Sequence, residues 1–354
     1  MQRYIGLDVH ARHFSMAVMD SDGEFVFEQT YPMSLRRLRT AIELIAGPKV
    51  VVLEESTLAG CVFRHLKPHV EQVVVADPYR NHLIARDENI NDVAAARKLA
   101  MLLRGGFIHP VHHPEELDRQ LFKELVQAYQ DTSRQVTRFK NKLKAKFRQH
   151  GVVCEGDDVY DARERDAWLA RLPAAGARFQ AQRLFESLEH FEQQKRQVTR
   201  ELRRAGRAFE PIARFEKVPG IGLIRAATFF AFVDAPARFA SKRKLWTYCG
   251  IGIAQRKSDQ MAGPQHLTRR GNRTLKDVAK GAAGTAIGRG DNAFAHQYAR
   301  LIAQGTSPEM ARLTVARAIV SAMAAMWRTG EPFAPKDRTG GRFTRPKRRR
   351  AYRR

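Results

Sequence analysis

Acidic residues stand at the ends of two predicted strands early in the chain. In the segment GLDVH, Asp8 emerges from an otherwise apolar run, where a carboxylate is costly unless it is paired or metal-bound. The segment VVVLEEST brings Glu54 and Glu55 to the tip of another strand. Each acid alone would be an ordinary strand-end residue in water. Several carboxylates at one point suit Mg²⁺, which stabilises charge on phosphate oxygens, so the pattern predicts a magnesium site.

A hydroxyl group among cations stands much later, in the segment QRKSD. Ser258 follows Arg256 and Lys257. The next polar segment, LTRRGNR, adds Arg269, Arg270, Asn272 and Arg273. Nearby positive charge favours the alkoxide and the charge that develops on an attacked phosphate. Ser258 is therefore a candidate nucleophile toward a phosphodiester, and the alternative is an ordinary loop serine.

The segment VPGIGLIRAA has the form of a helix-hairpin-helix turn. An apolar residue is followed by Gly220, Gly222 and then a helical pattern with small residues. Glycines there would let backbone N–H groups at the helix N-terminus approach a DNA phosphate. The alternative is any tight turn that leads into a helix.

Alternating strand and helix patterns position the acids. Period-two runs and a turn signal predict three antiparallel strands over residues 4–9, 14–19 and 24–31. Further patterns predict a helix from Ser34, a strand at 49–53, a helix at 58–66, a strand at 70–76 and a helix at 91–103. Three strands followed by this αβαβα order predict an α/β ribonuclease-H-like fold.

Strand signals vanish between about residues 114 and 214. A helix over residues 134–148 carries basic residues with no acid among them, including Arg138, Lys142 and Lys146, and is predicted to contact nucleic acid. A second helix at 178–204 would pair with it as a helical hairpin or coiled coil. The predicted domains are residues 1–113, the basic helical region 114–214, a mostly helical domain 215–330, and a disordered basic tail 331–354.

Composition indicates the partner and excludes several classes of protein. Lys and Arg number 62 against 37 Asp and Glu, and the resulting net charge of +25 predicts a polyanionic partner such as a phosphate backbone. The longest apolar stretch, residues 221–233, contains Arg225 and is shorter than the about 20 residues of a membrane span. No membrane span or signal peptide is expected.

Cysteine and histidine patterns give no structural metal site. Cys61, Cys154 and Cys249 are scattered without C-x-x-C spacing, which predicts a reducing cytosol. The run HPVHHP, residues 109–114, has no cysteine or carboxylate in register and is interpreted as a proline-bounded loop.

The ordered motifs GLDVH, EEST, NDVAAARKLAMLLRGG, VPGIGLIRAATFFAFV, RFASKRKLWTYCGI, QRKS and LTRRGNRTLK resemble one family over about residues 3–330. This is the family of DEDD insertion-sequence transposases with a RuvC-like N-terminal domain and a serine-bearing C-terminal domain. It includes Piv-type DNA invertases and bridge-RNA-guided recombinases.

The resemblance implies roles for individual residues. Asp8 matches the family's first metal-binding aspartate. Glu55 matches the family's metal-binding glutamate better than Glu54 does. Asp92 matches the third metal-binding acid. Ser258 matches the serine that becomes covalently joined to DNA. The resemblance further implies Mg²⁺, double-stranded DNA substrates, a homo-oligomer, a bacterial cytoplasmic and nucleoid location, and, in the bridge-RNA branch, a structured noncoding guide RNA.

One position departs from the family motif. Ala95 stands where the fourth acid is expected, and alanine cannot ligate a metal. Either three acids suffice, or Glu88 one turn earlier compensates, or the enzyme is impaired. The expected function is a DNA transposase or site-specific recombinase. The alternatives are a metal-dependent nuclease without a covalent intermediate, and a transposase-derived protein that only binds DNA or RNA.

Overall fold

The computed structural model describes residues 1–82, 91–255, 257–258, 261–262, 266–268 and 270–334, with the backbone alone at 82, 257–258 and 261–262. The chain divides into two compact units, Met1–Leu121 and Phe122–Arg354. The domain boundaries predicted after residues 113, 214 and 330 stay predictions. Most of the predicted basic tail, from residue 335 onward, lies outside the described residues.

A mixed β-sheet forms the centre of the first unit. In the part of the chain that the structure describes, its strands lie in the order β3-β2-β1-β4-β5-β6. The first three are antiparallel, β1, β4 and β5 are parallel, and β6 is antiparallel to β5. The strands are β1 Arg3–Val9, β2 His13–Met19, β3 Phe25–Pro32, β4 Lys49–Glu54, β5 Gln72–Ala76 and β6 Pro110–Val111.

Helices cover both faces of this sheet because its central strands are apolar on both sides. The helices of this unit are α1 Leu35–Glu43, α2 Ala59–Leu66, α3 Pro78–His82 and α4 Asp92–Arg104, of which α1 and α2 cover one face and α4 the other. Ile5, Leu7 and Leu53 pack in a core with buried residues of α1 and α2. Val52 lies on the other face, in a cluster with Leu99 of α4. The α/β architecture expected of this region is therefore present.

The second unit is mostly helical. Its long helices are α5 Leu117–Gln149, which begins in the first unit, and α7 Ala175–Gly206, with the short α6 Arg165–Ala170 between them. Phe139 stacks on Phe191 with ring centroids 5.3 Å apart, and Phe147 meets Phe185 at 6.4 Å. These two pairs show that α5 and α7 run antiparallel. Coiled-coil packing of the two helices stays a prediction.

The remaining elements surround a second apolar core, which includes Phe215, Phe229 and Met323. Its helices are α8 Glu210–Phe215, α9 Leu223–Val233, α10 Lys242–Tyr248, α11 Arg273–Gly288, α12 Ala293–Ala303 and α13 Pro308–Thr329. The described residues between α10 and α11 include two-residue strands: β7 Ile253–Ala254, β8 Lys257–Ser258, β9 Met261–Ala262 and β10 His266–Leu267.

Helix α13 is long and apolar enough to cross a membrane, although the sequence pattern predicts no such segment. Half of its most apolar window is buried within the protein. Val315, Ile319 and Met323 on its buried side belong to the core of the second unit. A core helix meets the same length and composition test, so this helix is weak evidence for a membrane span.

Candidate active site

The tight connection between β1 and β2 brings the polar side chains of Asp8, His10 and His13 to one end of the sheet. The backbone N–H of His10 donates to the carbonyl of His13 at 2.9 Å, which closes the turn. Asp8 pairs with Ser15 in the antiparallel register, so Asp8 and Ser15 share one face of the sheet. Because strand side chains alternate, His13 lies on that same face.

Asp92 joins this group at the first turn of α4. Its Oδ2 atom lies 2.6 Å from Nε2 of His13, and its Oδ1 atom lies 3.8 Å from Nε2 of His10. The same nitrogen of His10 lies 3.2 Å from Oδ2 of Asp8. His10 thus bridges two acids that are far apart in the sequence, and the candidate site is Asp8, His10, His13 and Asp92.

Solvent reaches this cluster. The side chain of Asp8 is 22% exposed and that of Asp92 is 47% exposed. The facing oxygen and nitrogen atoms of His10, His13 and Asp92 all lie within 4.8 Å of one another. Carboxylate and imidazole groups in such an arrangement can hold a divalent cation and leave positions open for a substrate oxygen.

Helix α4 positions Asp92 through a cap and a close approach. The side chain of Asn91 accepts a hydrogen bond from the N–H of Ala94 at 2.8 Å and starts the helix. One turn after Asp92, the backbone of Ala96 lies against Gly6 of β1, where an added Cβ would overlap it. Ala95 is half-buried and offers no ligand atom. Glu88, the proposed substitute, lies outside the described residues.

The two glutamates at the end of β4 lie on different faces of the sheet. Glu55 Oε2 is 2.5 Å from Nε2 of His113, whose ring lies 5.9 Å from that of Phe63 on α2. This is the face covered by α1 and α2. Alternation places Glu54 with Val52 on the opposite face, which α4 covers and which carries Asp8. Among the described contacts, none joins Glu55 to Asp8 or Asp92.

The run HPVHHP is more than the proline-bounded loop expected from sequence. Pro110 and Val111 form the short strand β6 on β5, and His113 meets the carboxylate of Glu55. Sequence spacing does not reveal this carboxylate, because Glu55 is distant along the chain. The other overlooked residues, His10 and His13, had a local signal: both follow Asp8 within one short turn.

Ser258 lies in a β-hairpin. Lys257 pairs with Ala262 and Ser258 pairs with Met261, and the ladder of β7 with β10 lies nearer the hairpin base. The sequence pattern predicts a loop there. Two-residue strands carry too little alternation to be predicted. The side chains of Lys257 and Ser258, and all of Arg256 and Arg269, lie outside the described residues.

The polar residues after the hairpin begin helix α11. Asn272 caps this helix, since its Oδ1 atom accepts the N–H of Leu275 at 3.0 Å. Arg270 and Arg273 are exposed beside the cap. Asn272 therefore has a structural role in addition to its predicted role in nucleic-acid binding, which stays a prediction.

The two glycines of the predicted helix-hairpin-helix turn have different surroundings. Gly220 has φ +86° and lies against α11, where an added Cβ would overlap the carbonyl of Ala282. Its own carbonyl accepts a hydrogen bond from Arg225 at 2.6 Å. Gly222 starts α9 and has open space around its Cβ position. Of these two glycines, only Gly222 stands at the helix N-terminus with open space beside it, where a phosphate could approach.

The basic face of α5 is partly used inside the protein. Lys146 donates to the side chain of Gln180 on α7 at 2.7 Å, and Lys140 lies 3.6 Å from Glu192. Arg138 and Lys142 are exposed. The exposed pair keeps its predicted role in nucleic-acid contact, whereas Lys140 and Lys146 also join the two long helices.

Two family models match the chain. DEDD_Tnp_IS110, described as a transposase, matches residues 5–151, and the model described as Transposase IS116/IS110/IS902 family matches residues 212–299. The class that both models describe is the transposases. The two matches support assignment of this chain to the IS110 family of transposases. No curated protein matches the chain.

Proposed function

We propose that this protein is a DNA transposase that mobilises an insertion sequence by site-specific, serine-mediated strand exchange. The two family matches carry the proposal, because one covers Asp8 and Asp92 and the other covers Ser258. Double-stranded DNA is the expected substrate. The net charge of +25 supports a phosphate backbone as partner.

Asp8 and Asp92 are the proposed holders of Mg²⁺, together with Glu54 or Glu55. The donor set fits a divalent ion, since carboxylate oxygens of Asp8 and Asp92 face the same imidazole nitrogen. A divalent ion supplies charge stabilisation for phosphate oxygens when it is bound. The acids themselves orient the site, because β1 and the capped end of α4 hold them in place.

Ser258 is the proposed nucleophile. Its Oγ would bond to phosphorus while the bond from phosphorus to a deoxyribose oxygen breaks, the serine proton would end on that departing oxygen as a hydroxyl, and DNA would be left linked to the protein as a phosphoserine. Attack by a second DNA end would reverse the link and complete strand exchange. Arg270 and Arg273, which follow Ser258 in the sequence and are exposed at the start of α11, support contact with phosphate.

The test of this function is the covalent adduct. Purified full-length protein is incubated with the ends of its element, divalent ion and RNA transcribed from the flanking DNA, and is then denatured. A protein–DNA adduct is expected for wild type and for Ser307→Ala, a matched exposed serine at the start of α13. Loss of the adduct in Ser258→Ala supports the nucleophile, and an unchanged adduct refutes it.

The same reaction separates the alternatives. Free 5′-phosphate or 3′-hydroxyl ends without an adduct would indicate a metal-dependent nuclease in which the acids activate water. Binding without any cleavage would indicate a transposase-derived binding protein, for which Ala95 is the supporting observation. Recombination by the wild-type protein would exclude that alternative.

We also propose a ribonuclease-H-like, RuvC-like fold for the first unit. The strand order β3-β2-β1-β4-β5-β6, with an antiparallel trio beside parallel β1, β4 and β5, supports it. A homo-oligomer, a structured guide RNA and a nucleoid location in the bacterial cytoplasm complete the proposal. Sequencing of the nucleic acid that co-purifies with the protein tests the guide, and a discrete RNA encoded beside the gene is the expected result.

A further inference from the structure

We propose that His10 and His13 are metal ligands, and that they give the site a preference for first-row transition ions over Mg²⁺. This inference rests on the proposed function, because it concerns the metal held near Asp8 and Asp92. The family motif implies four acids and no histidine, and this chain has Ala95 in place of the fourth. One imidazole would replace the missing fourth ligand, and the other would add a further ligand.

The distances between donor atoms fit one ion. A divalent ion binds oxygen and nitrogen at about 2 Å, so adjacent ligands of an octahedral site lie about 3 Å apart and opposite ligands about 4 Å apart. His13 and Asp92 meet at 2.6 Å, His10 and Asp8 at 3.2 Å, and His10 and Asp92 at 3.8 Å. The donor atoms of His10, His13 and Asp92 all lie within 4.8 Å of one another, so closure by up to about 1 Å would bring these three around one ion, with Asp8 reaching the group through His10.

The backbone presents these donors together before any ion binds. His10 and His13 lie at the two ends of one closed turn, with ring centroids 4.9 Å apart. Asp92 is held at the capped start of α4, one turn from the contact of Ala96 with Gly6. Because the three positions are fixed by the sheet and the helix, little conformational entropy is lost on binding.

The donor types determine the preferred ion. Mg²⁺ favours oxygen ligands and water, whereas imidazole nitrogen suits the borderline transition metals. Four acids would bring four negative charges, whereas Asp8, Asp92 and one glutamate with two neutral imidazoles bring three. A site of lower charge with nitrogen donors loses affinity for Mg²⁺ more than for Mn²⁺ or Co²⁺.

Mn²⁺ is the probe for the test. The full-length protein is titrated with Mn²⁺ under electron paramagnetic resonance, Mg²⁺ is added as competitor, and spin-echo modulation reports nitrogen bound to the manganese. Wild type is expected to bind Mn²⁺ at least about tenfold more tightly than Mg²⁺, with nitrogen modulation. His10→Asn and His13→Asn are each expected to weaken Mn²⁺ binding by about tenfold or more, and the double variant to lose the modulation.

His69→Asn is the matched control. His69 also faces a carboxylate, with Nδ1 3.1 Å from Oε1 of Glu43, but it is not among the described donors around Asp92. This variant should keep wild-type Mn²⁺ affinity and nitrogen modulation. The histidines at 10 and 13 are solvent-exposed enough for substitution without unfolding, which circular dichroism checks.

Two outcomes overturn the inference, and they are distinguishable from failure of the proposed function. If the double histidine variant binds Mn²⁺ within about twofold of wild type while Asp8→Asn does not bind it, the acids hold the metal without the imidazoles. Absence of nitrogen modulation in the wild-type protein would likewise show that no imidazole binds the manganese. If Asp8→Asn also binds normally, the acidic metal site of the proposed function is refuted as well.

Discussion

The backbone of Ala96 on α4 lies so close to Gly6 on β1 that a methyl group on Gly6 would overlap the Ala96 carbonyl oxygen. The same added carbon would lie 2.8 Å from the backbone nitrogen of Ala100. Because glycine allows this approach, α4 can dock on the central strand. The docking brings Asp92, one helical turn before Ala96, beside the end of β1 that carries Asp8.

Gly6→Ala is therefore expected to move α4 away from the sheet and to lower the free energy of unfolding by about 3 kcal/mol. It should also weaken binding of divalent ions, because Asp92 moves with the helix. Urea denaturation and Mn²⁺ titration measure the two effects. Gly284→Ala is the control: this exposed position in α11 has open space, and alanine there should stabilise the protein by about 1 kcal/mol. Equal stability of the two variants would contradict the docking argument.

The placement of Glu54 on the face of Asp8 predicts that Glu54 is the third acid. Glu54→Gln is expected to weaken metal binding by about tenfold or more, because it removes a charged ligand. Glu55→Gln should leave metal affinity unchanged and cost at most about 1 kcal/mol of stability through its contact with His113. Isothermal titration and thermal unfolding separate the two roles. The reverse pattern would support Glu55, as the family motif implies.

Restoring the fourth acid tests the importance of Ala95. Ala95→Asp places a carboxylate three residues after Asp92, on the same side of α4. Mg²⁺ affinity is expected to rise by about tenfold, because the site gains a charged oxygen ligand. Ala94→Asp, which points elsewhere on the helix, should leave the affinity unchanged. The prediction fails if both variants bind Mg²⁺ as the wild type does.

The two glycines before α9 should respond differently to substitution. Gly220→Ala meets both a positive φ and the backbone of Ala282, so we expect a loss of about 2 to 4 kcal/mol in stability. Gly222 has open space at its Cβ position and an ordinary extended backbone, so Gly222→Ala should leave the free energy of unfolding unchanged. If α9 presents its N-terminus to DNA, Gly222→Ala weakens DNA binding in an electrophoretic assay. Unchanged DNA binding would argue against the helix-hairpin-helix interpretation.

Cys249 predicts a dependence of stability on alkaline pH. Burial raises the pKa of its thiol from about 9 to about 12. Since the folded pKa lies above the unfolded one, the stabilising contribution is complete below pH 9 and is lost as pH rises toward 12. At pH 10 the loss is on the order of 1 kcal/mol relative to Cys249→Ala.

Urea denaturation of wild type and Cys249→Ala at pH 7.5 and pH 10 measures this difference, with the exposed Cys61→Ala as control. The stability gap between wild type and Cys249→Ala should narrow at pH 10, whereas Cys61→Ala should follow wild type. A gap that is equal at both pH values would contradict the assignment to Cys249.

Much of the first unit is predictable because its signals are local. Alternation and the turn near Gly23 predict the antiparallel trio, and Ser34 and Asn91 cap helices where the pattern expects them. The hairpin around Ser258 was missed, because its strands of two residues are stabilised by neighbours and not by their own pattern.

By itself, the sequence determined the order of β1–β5 with α1, α2 and α4, the large positive charge and the motifs that the family models match. Only the tertiary structure decided which side chains meet. A shift of one residue along β4 moves a carboxylate to the opposite face, so the choice between Glu54 and Glu55 depends on register. Likewise, His10 and His13 meet Asp92 only because α4 docks on Gly6, a contact between segments far apart in the chain.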